Sequence, residues 1–264
     1  MLYLLQFLLA AVQFMLGAAL FSFFNVVAWR VPRGKPVFAG RSACPACGAA
    51  LSGWELAPVF GWLALRGRCR HCGAPIAPRY LAVELLGGAL ALGCRARFGA
   101  DLAGPFGLRW AALLALVFLG LLTAVALADA ETQSIPNRLS AAAAACALPA
   151  VWLMPEITLP ERAIGAVCIS VPMALLCLAV PGGFGGGDIK LMAAAGLFLG
   201  WKLTLLAAFL AILAGGGYGA WLLLTKKSGP RDHFAFGPFL CGGMAAALFF
   251  GGPMLQWYFQ FFTF

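Results

Sequence analysis

Two sets of side chains in this sequence could do chemistry. The first is Cys44-Pro-Ala-Cys47-Gly48, followed further on by Cys69-Arg-His-Cys72-Gly73. A doubled C-x-x-C with a glycine behind each second cysteine is zinc-knuckle spacing, with four thiolates closing a tetrahedron. Backbone N–H groups of each knuckle turn toward the sulfurs. A closed four-sulfur site leaves no position for water, so this zinc would be structural and not the catalyst. His71 would compete with its own neighbours as a ligand and is read as a bystander. The alternatives are disulfides or free thiols, and stable disulfides are disfavoured if the loop faces the cytoplasm.

The second set is Asp129 and Asp188. Asp129 closes an apolar stretch shortly before Ile135-Pro136-Asn137, where proline cannot continue a helix. Asp188 follows a glycine-rich run over 182–187 and is expected at or near a helix start. Two carboxylates at one depth can share a proton, one accepting from water while the other donates to the carbonyl or leaving amine. That is amide hydrolysis without metal or covalent intermediate. Helix-end dipoles would place the shared proton on Asp129 and the charge on Asp188. The plainer alternative for each aspartate is a helix cap or solvated helix end. A phosphate loop is a poor reading of the glycines, because no G-K-[ST] follows.

These residues need elements to carry them. Of 264 residues, 63% are hydrophobic and 10% charged, whereas soluble domains carry about 25% charge. Lipid is therefore the expected solvent. Apolar stretches at 1–28, 81–94, 110–128, 139–154, 163–181, 189–201, 203–224 and 238–264 predict an all-α polytopic membrane protein with about eight transmembrane helices. The stretch 189–201 is short for a span. No positive segment precedes the first stretch, which is read as an uncleaved span with its N-terminus outside. With eight spans, Arg95, Arg97, Arg109, Arg162 and Lys202 fall outside and the remaining 13 of 18 basic residues inside, as the positive-inside rule asks. The net charge of +9 is thus a topology signal, and nucleic acid is not an expected partner.

The expected organisation is a first span over 1–28, a small cytoplasmic zinc-binding insert over 29–80, and a seven-helix region over 81–264 carrying both aspartates. In the insert, Trp54 and Trp62 suit lipid headgroups, and Arg66, Arg68, Arg70 and Arg79 anchor topology or face anionic lipid. Glu84 is expected to pair with Arg79 or Arg30. Cys94, Cys146, Cys168, Cys177 and Cys241 lie in apolar stretches and read as small hydrophobes. On residues alone, a proton-coupled transporter and a zinc-bound membrane scaffold both remain open. The first predicts acids spread across the membrane, and the second tolerates loss of either aspartate.

The landmarks taken together resemble the type IV prepilin leader peptidases, polytopic aspartic proteases of bacterial inner membranes. The resemblance rests on Phe21-Ser-Phe-Phe-Asn25-Val-Val-Ala-Trp-Arg30-Val-Pro32, Trp54-Glu55-Leu56-Ala57-Pro58, the cysteine pairs, Arg79-Tyr80 through Glu84 to Gly87, Ile135-Pro136-Asn137 after Asp129, Gly185-Gly186-Gly187-Asp188-Ile189-Lys190-Leu191, and Phe236-Gly237-Pro238-Phe239. It implies catalytic roles for Asp129 and Asp188 and zinc at Cys44, Cys47, Cys69 and Cys72. It implies prepilins of type IV pili or type II secretion pseudopilins as substrates, cut after a glycine at the cytoplasmic face. It further implies N-methylation of the new N-terminus with S-adenosylmethionine, for which no residues are named. Two departures stand out: Glu131 where many relatives carry a second Asp, and Gly61 where a serine is frequent.

Overall fold

Away from water, backbone N–H and C=O groups must pair within the chain, so long apolar runs become helices. The computed structural model describes residues 2–101, 103–179, 185–225 and 234–261. The glycine-run residues 181–184, the cations Lys226, Lys227 and Arg231, and Asp232 lie outside them. The described helices are α1 (Leu2–Arg30), α2 (Phe60–Ala64), α3 (Pro78–Phe98), α4 (Trp110–Thr132), α5 (Asn137–Ala145), α6 (Ala147–Leu153), α7 (Leu159–Cys168), α8 (Ser170–Ala179), α9 (Gly186–Leu224) and α10 (Gly237–Gln260). Among the described residues there is no strand, only isolated bridges.

Three helix interruptions have readable causes. A proline lacks an N–H and its ring clashes with the carbonyl four residues earlier. Pro149 lies four residues after Ala145, where α5 ends. Pro172 lies four residues after Cys168, where α7 ends. The 39-residue α9 breaks instead at Gly200, whose φ of 73° and ψ of 166° leave the helical region. Among the described residues, five segments are long and apolar enough to cross a membrane: Tyr3–Arg30, Trp110–Thr132, Leu159–Ala179, Gly186–Leu224 and Gly237–Gln260.

The chain forms two compact units, Met1–Gly120 and Leu121–Phe264, with the boundary inside α4. In the first unit α1 packs on α3 so closely that a Cβ on Gly17 or Gly87 would strike the other's carbonyl. Gln13, fully buried, accepts a bond from Arg95 at 3.2 Å and donates to the carbonyls of Phe106 and Gly107. The insert joins α1 to α3. Its entry is fixed by Arg30 Nη1, which donates to the carbonyls of Pro36, Val37 and Ala39. The sequence led to an ion pair of Glu84 with Arg79 or Arg30, but a hydroxyl and a backbone N–H serve it instead. It is buried and accepts from Ser22 Oγ and the Val59 N–H, each at 2.7 Å. Trp54 is exposed, with Arg70 over its ring, whereas Trp62 turns inward against Gly67 and bonds Ile76 O at 3.4 Å.

In the second unit α9 is the central helix, with α5, α7 and α10 against it. Gly165 of α7 and Gly196 of α9 meet backbone to backbone, and Gly243 of α10 meets the Ala207 carbonyl of α9. Small residues permit such close crossings. Arg162 is not the loop cation expected from the sequence. Only 3% of it is exposed, and its guanidinium donates to five carbonyls: Ile157, Leu197, Phe198, Ala150 and Met154, at 2.8–3.2 Å. Ala150 and Met154 lie at the end of α6, Ile157 in the turn before α7, and Leu197 and Phe198 in the α9 turn before the break. One planar five-donor group thus ties the end of α6 and the turn after it to α9.

Replacing Arg162 with Met should take a donor from each of those carbonyls and lower stability by roughly 3 kcal/mol or more. Reversible unfolding of the detergent-solubilised protein measures this. Wild-type stability in the variant would show that the carbonyls find other donors.

Candidate active site and metal centre

Asp129 lies in the last turn of α4, only 6% exposed. Helix α4 is closed by Gln133, whose left-handed φ of 50° turns the chain while its N–H returns to Asp129 O at 2.7 Å. Thr132 Oγ1 caps the carbonyl of Ala128 at 2.8 Å. Ser134 and Ile135 then lead to Pro136, the N-cap of α5. Asp188 lies in the first turn of α9, half-buried, with Gly185 as the N-cap.

The structure brings the two aspartates together. Both line one cavity of about 200 Å³, with Gln133, Ser134, Ile135, Gly185, Gly186 and Gly187. Glu131, the expected departure from the second Asp, is not among the lining residues. A larger open depression of about 600 Å³ at Lys202, Leu255 and Gln256 holds no pair of acids, so the smaller cavity is the chemical candidate.

Two glycines determine how the carboxylates sit. Gly187 lies against Ile135, and a Cβ there would stand 2.8 Å from the Ile135 Cβ. Gly187 is therefore a seat for the Ile135-Pro136 turn, further tied by Lys190 Nζ donating to Asn137 Oδ1 at 3.0 Å. Gly237, at the start of α10, donates its N–H to Asp129 Oδ2 at 2.9 Å. A Cβ on Gly237 would reach 2.7 Å from that oxygen. Sequence reasoning recorded Phe236-Gly237-Pro238-Phe239 as a landmark but gave it no role. A glycine before a proline at a helix start was the available signal, but its partner is 108 residues away. Asp188 Oδ1 is buried with no hydrogen-bond partner among the described residues.

The four cysteines form one cluster, each sulfur within 4.8 Å of the others. The knuckles repeat one bonding pattern. Cys44 N bonds Ala49 O and Gly48 N bonds Cys44 O, both at 2.9 Å; Cys69 N bonds Ala74 O at 2.8 Å and Gly73 N bonds Cys69 O at 2.9 Å. Gly48 and Gly73 share a φ of 72°, the left-handed turn that ends each knuckle. Zinc–sulfur bonds of about 2.3 Å in a tetrahedron set sulfurs roughly 3.8 Å apart. Cys44 and Cys72 sulfurs are 3.9 Å apart, near that value and far beyond a disulfide. All four thiols are free. N–H groups of Cys47 and Ala46 hold the Cys44 thiol down at about 6. At Cys72 the Ala74 N–H acts the same way but is outweighed by burial and the neighbouring thiols, which push it up to about 11. A cluster of this composition and size fits a divalent ion that takes thiolates. His71 is not one of its donors.

Residues 15–98 match the Bacterial Peptidase A24 N-terminal domain, and residues 116–220 match the Type IV leader peptidase family. A prepilin leader peptidase/N-methyltransferase of Burkholderia pseudomallei (strain K96243) is 40% identical over 229 residues, 81% of this chain and 68% of that protein. The protein of that name from Bacillus subtilis (strain 168) is 32% identical over 248 residues, 94% of this chain and 97% of the relative. Another, from Neisseria gonorrhoeae, is 32% identical over 261 residues, 85% of each chain. No solved structure matches. With both segments matched and relatives similar along most of its length, the chain belongs to the type IV leader peptidase family.

Proposed function

We propose that this protein is an aspartic endopeptidase of the bacterial inner membrane. It removes the basic leader from type IV prepilins or type II secretion pseudopilins at the cytoplasmic face, using Asp129 and Asp188. It then N-methylates the new N-terminus with S-adenosylmethionine, whose binding residues we do not assign. The observation that carries the hydrolytic reading is the shared cavity of the two aspartates.

The chemistry follows from that geometry. A water between the carboxylates loses a proton to one and attacks the scissile carbonyl, while the other protonates the departing amine. The Gly237 N–H suits an ionised Asp129, so the shared proton falls to Asp188. This reverses the placement expected from helix ends alone, because a direct hydrogen-bond donor outweighs the partial charge of a helix end. A prepilin's apolar helix would lie in lipid and its basic leader in water. Membrane confinement would thereby bring the scissile bond to the depth of the dyad.

The same proposal keeps eight spans. Segment Gly186–Leu224 supplies two of them, divided at Gly200, the first half short for a span. The 21-residue α3 is made polar by Arg79, Glu84, Arg95 and Arg97, and α5 with α6 is one span broken at Pro149. Thirteen of 18 basic residues then face the cytoplasm, where Lys and Arg concentrate. Zinc on Cys44, Cys47, Cys69 and Cys72 holds the insert, which has little core of its own.

Asp129→Asn and Asp188→Asn should each cut leader removal roughly 10³-fold or more while the protein stays folded. Mass spectrometry of a synthetic prepilin incubated with purified enzyme reads this directly, and near-wild-type cleavage by either variant would exclude the dyad. Metal analysis should find one zinc per chain. Stripping it should unfold the insert, seen as protease cutting between residues 35 and 77. An insert equally resistant with and without metal would refute the structural role.

A further inference from the structure

The peptidase reading leaves one buried acid unused. Glu84 is 8% exposed on α3, and its bonds come from a hydroxyl and a backbone N–H, not from a cation. A buried carboxylate ordinarily finds a positive partner. Close by stands a second anomaly. Asn25 is 2% exposed, and both its Oδ1 and its Nδ2 lack any hydrogen-bond partner among the described residues. Buried amides are rarely left so. Asn25 follows Ser22, the Glu84 partner, by three residues on α1, which puts the two side chains on one helix face about 5–6 Å apart.

The third observation concerns Val59. Its N–H occupies Glu84 Oε2, and its φ of 64° is one that a β-branched residue rarely adopts. The insert thus presses a strained residue onto the carboxylate and supplies a lone N–H donor there. Strained backbone of this kind gathers at ligand clamps and switch regions.

We propose that Glu84 and Asn25 form the acceptor site for methyl transfer, binding the free N-terminal amine of the cleaved substrate. This rests on the proposed function above. An ammonium group carries positive charge and three N–H donors, which match Glu84 and the open Oδ1 of Asn25. The free Nδ2 then takes the first carbonyl of the peptide. The sulfonium centre of a methyl donor has charge but no N–H, so it could not itself satisfy Asn25 Oδ1. The Val59 N–H holds the place of the amine until substrate displaces it. In the reaction the ammonium gives one proton to Glu84. The freed nitrogen lone pair then bonds the methyl carbon as the donor's S–C bond breaks and its electron pair stays on sulfur. Glu84 returns its proton to water.

The test uses the full-length enzyme in detergent, with Glu84→Gln and Asn25→Ala. Binding is measured first, without methyl donor, to a leaderless pilin-type peptide bearing either a free or an acetylated N-terminus. Wild type should prefer the free amine at least roughly tenfold, and both variants should lose that preference. With a prepilin substrate and a sulfonium methyl donor, methylation should fall about 100-fold or more in Glu84→Gln, while leader removal stays within about twofold. Retained zinc reports that the first unit is folded. If Glu84→Gln loses zinc, Asn25→Ala decides alone, since its amide makes no bond that holds the fold. Wild-type methylation in Asn25→Ala, or equal binding of the two peptides to wild type, would overturn the proposal. Failure of wild type to remove a leader would instead count against the peptidase reading, because the binding arm starts from peptide already cut.

Discussion

A buried carboxylate needs a donor, and Asp129 finds it in the backbone N–H of Gly237. That one bond ties the end of α4 to the start of α10. It also explains why the start of α10 must be glycine, since any Cβ would press on the carboxylate. Asp188 is placed by a matching device: Gly187 lets the α9 start close on the Ile135 turn, with Lys190 and Asn137 as a clasp. The two aspartates meet because both ends of the cavity are built from backbone rather than bulky side chains.

The same need for partners shapes the rest of the second unit. Helices broken at Pro149, Pro172 and Gly200 expose carbonyls that water cannot serve. Arg162 answers at the end of α6 and before the α9 break, holding the first half of α9 to its neighbours. Backbone contacts at Gly165–Gly196 and at Gly243–Ala207 complete the seating of α9. The site therefore sits on packed helices, with only its glycine lip irregular. In the first unit two knuckles of matching hydrogen bonding bring four sulfurs close enough together to hold a metal ion.

Much of this was legible in the residues. Cysteine spacing carries its own geometry, and both aspartates announced themselves as acids beside apolar runs and a glycine cluster. Helix positions followed from apolar stretches and prolines. What was hidden depends on long-range backbone partners. Gly237 has no side chain to advertise a role. Arg162 sits beside a turn in the sequence and reads as a loop charge, because its carbonyl partners exist only after α9 breaks. Glu84 looked like half of an ion pair, and its actual donors, a hydroxyl on α1 and a loop N–H, carry no charge pattern. Span counting is difficult for a related reason. Prolines and charges shorten or dilute apolar helices, so length and apolarity find five segments where the stretches of the sequence number eight.

The central claim concerns two acids acting on one bond. The most direct measurement is an experimental structure of the enzyme bound to a prepilin-like peptide carrying a hydroxyethylene group in place of the scissile amide. The account predicts the hydroxyl between Asp129 and Asp188, within hydrogen-bond reach of both carboxyl groups. A hydroxyl bound elsewhere, or one held by a single aspartate with the other turned away, would contradict it.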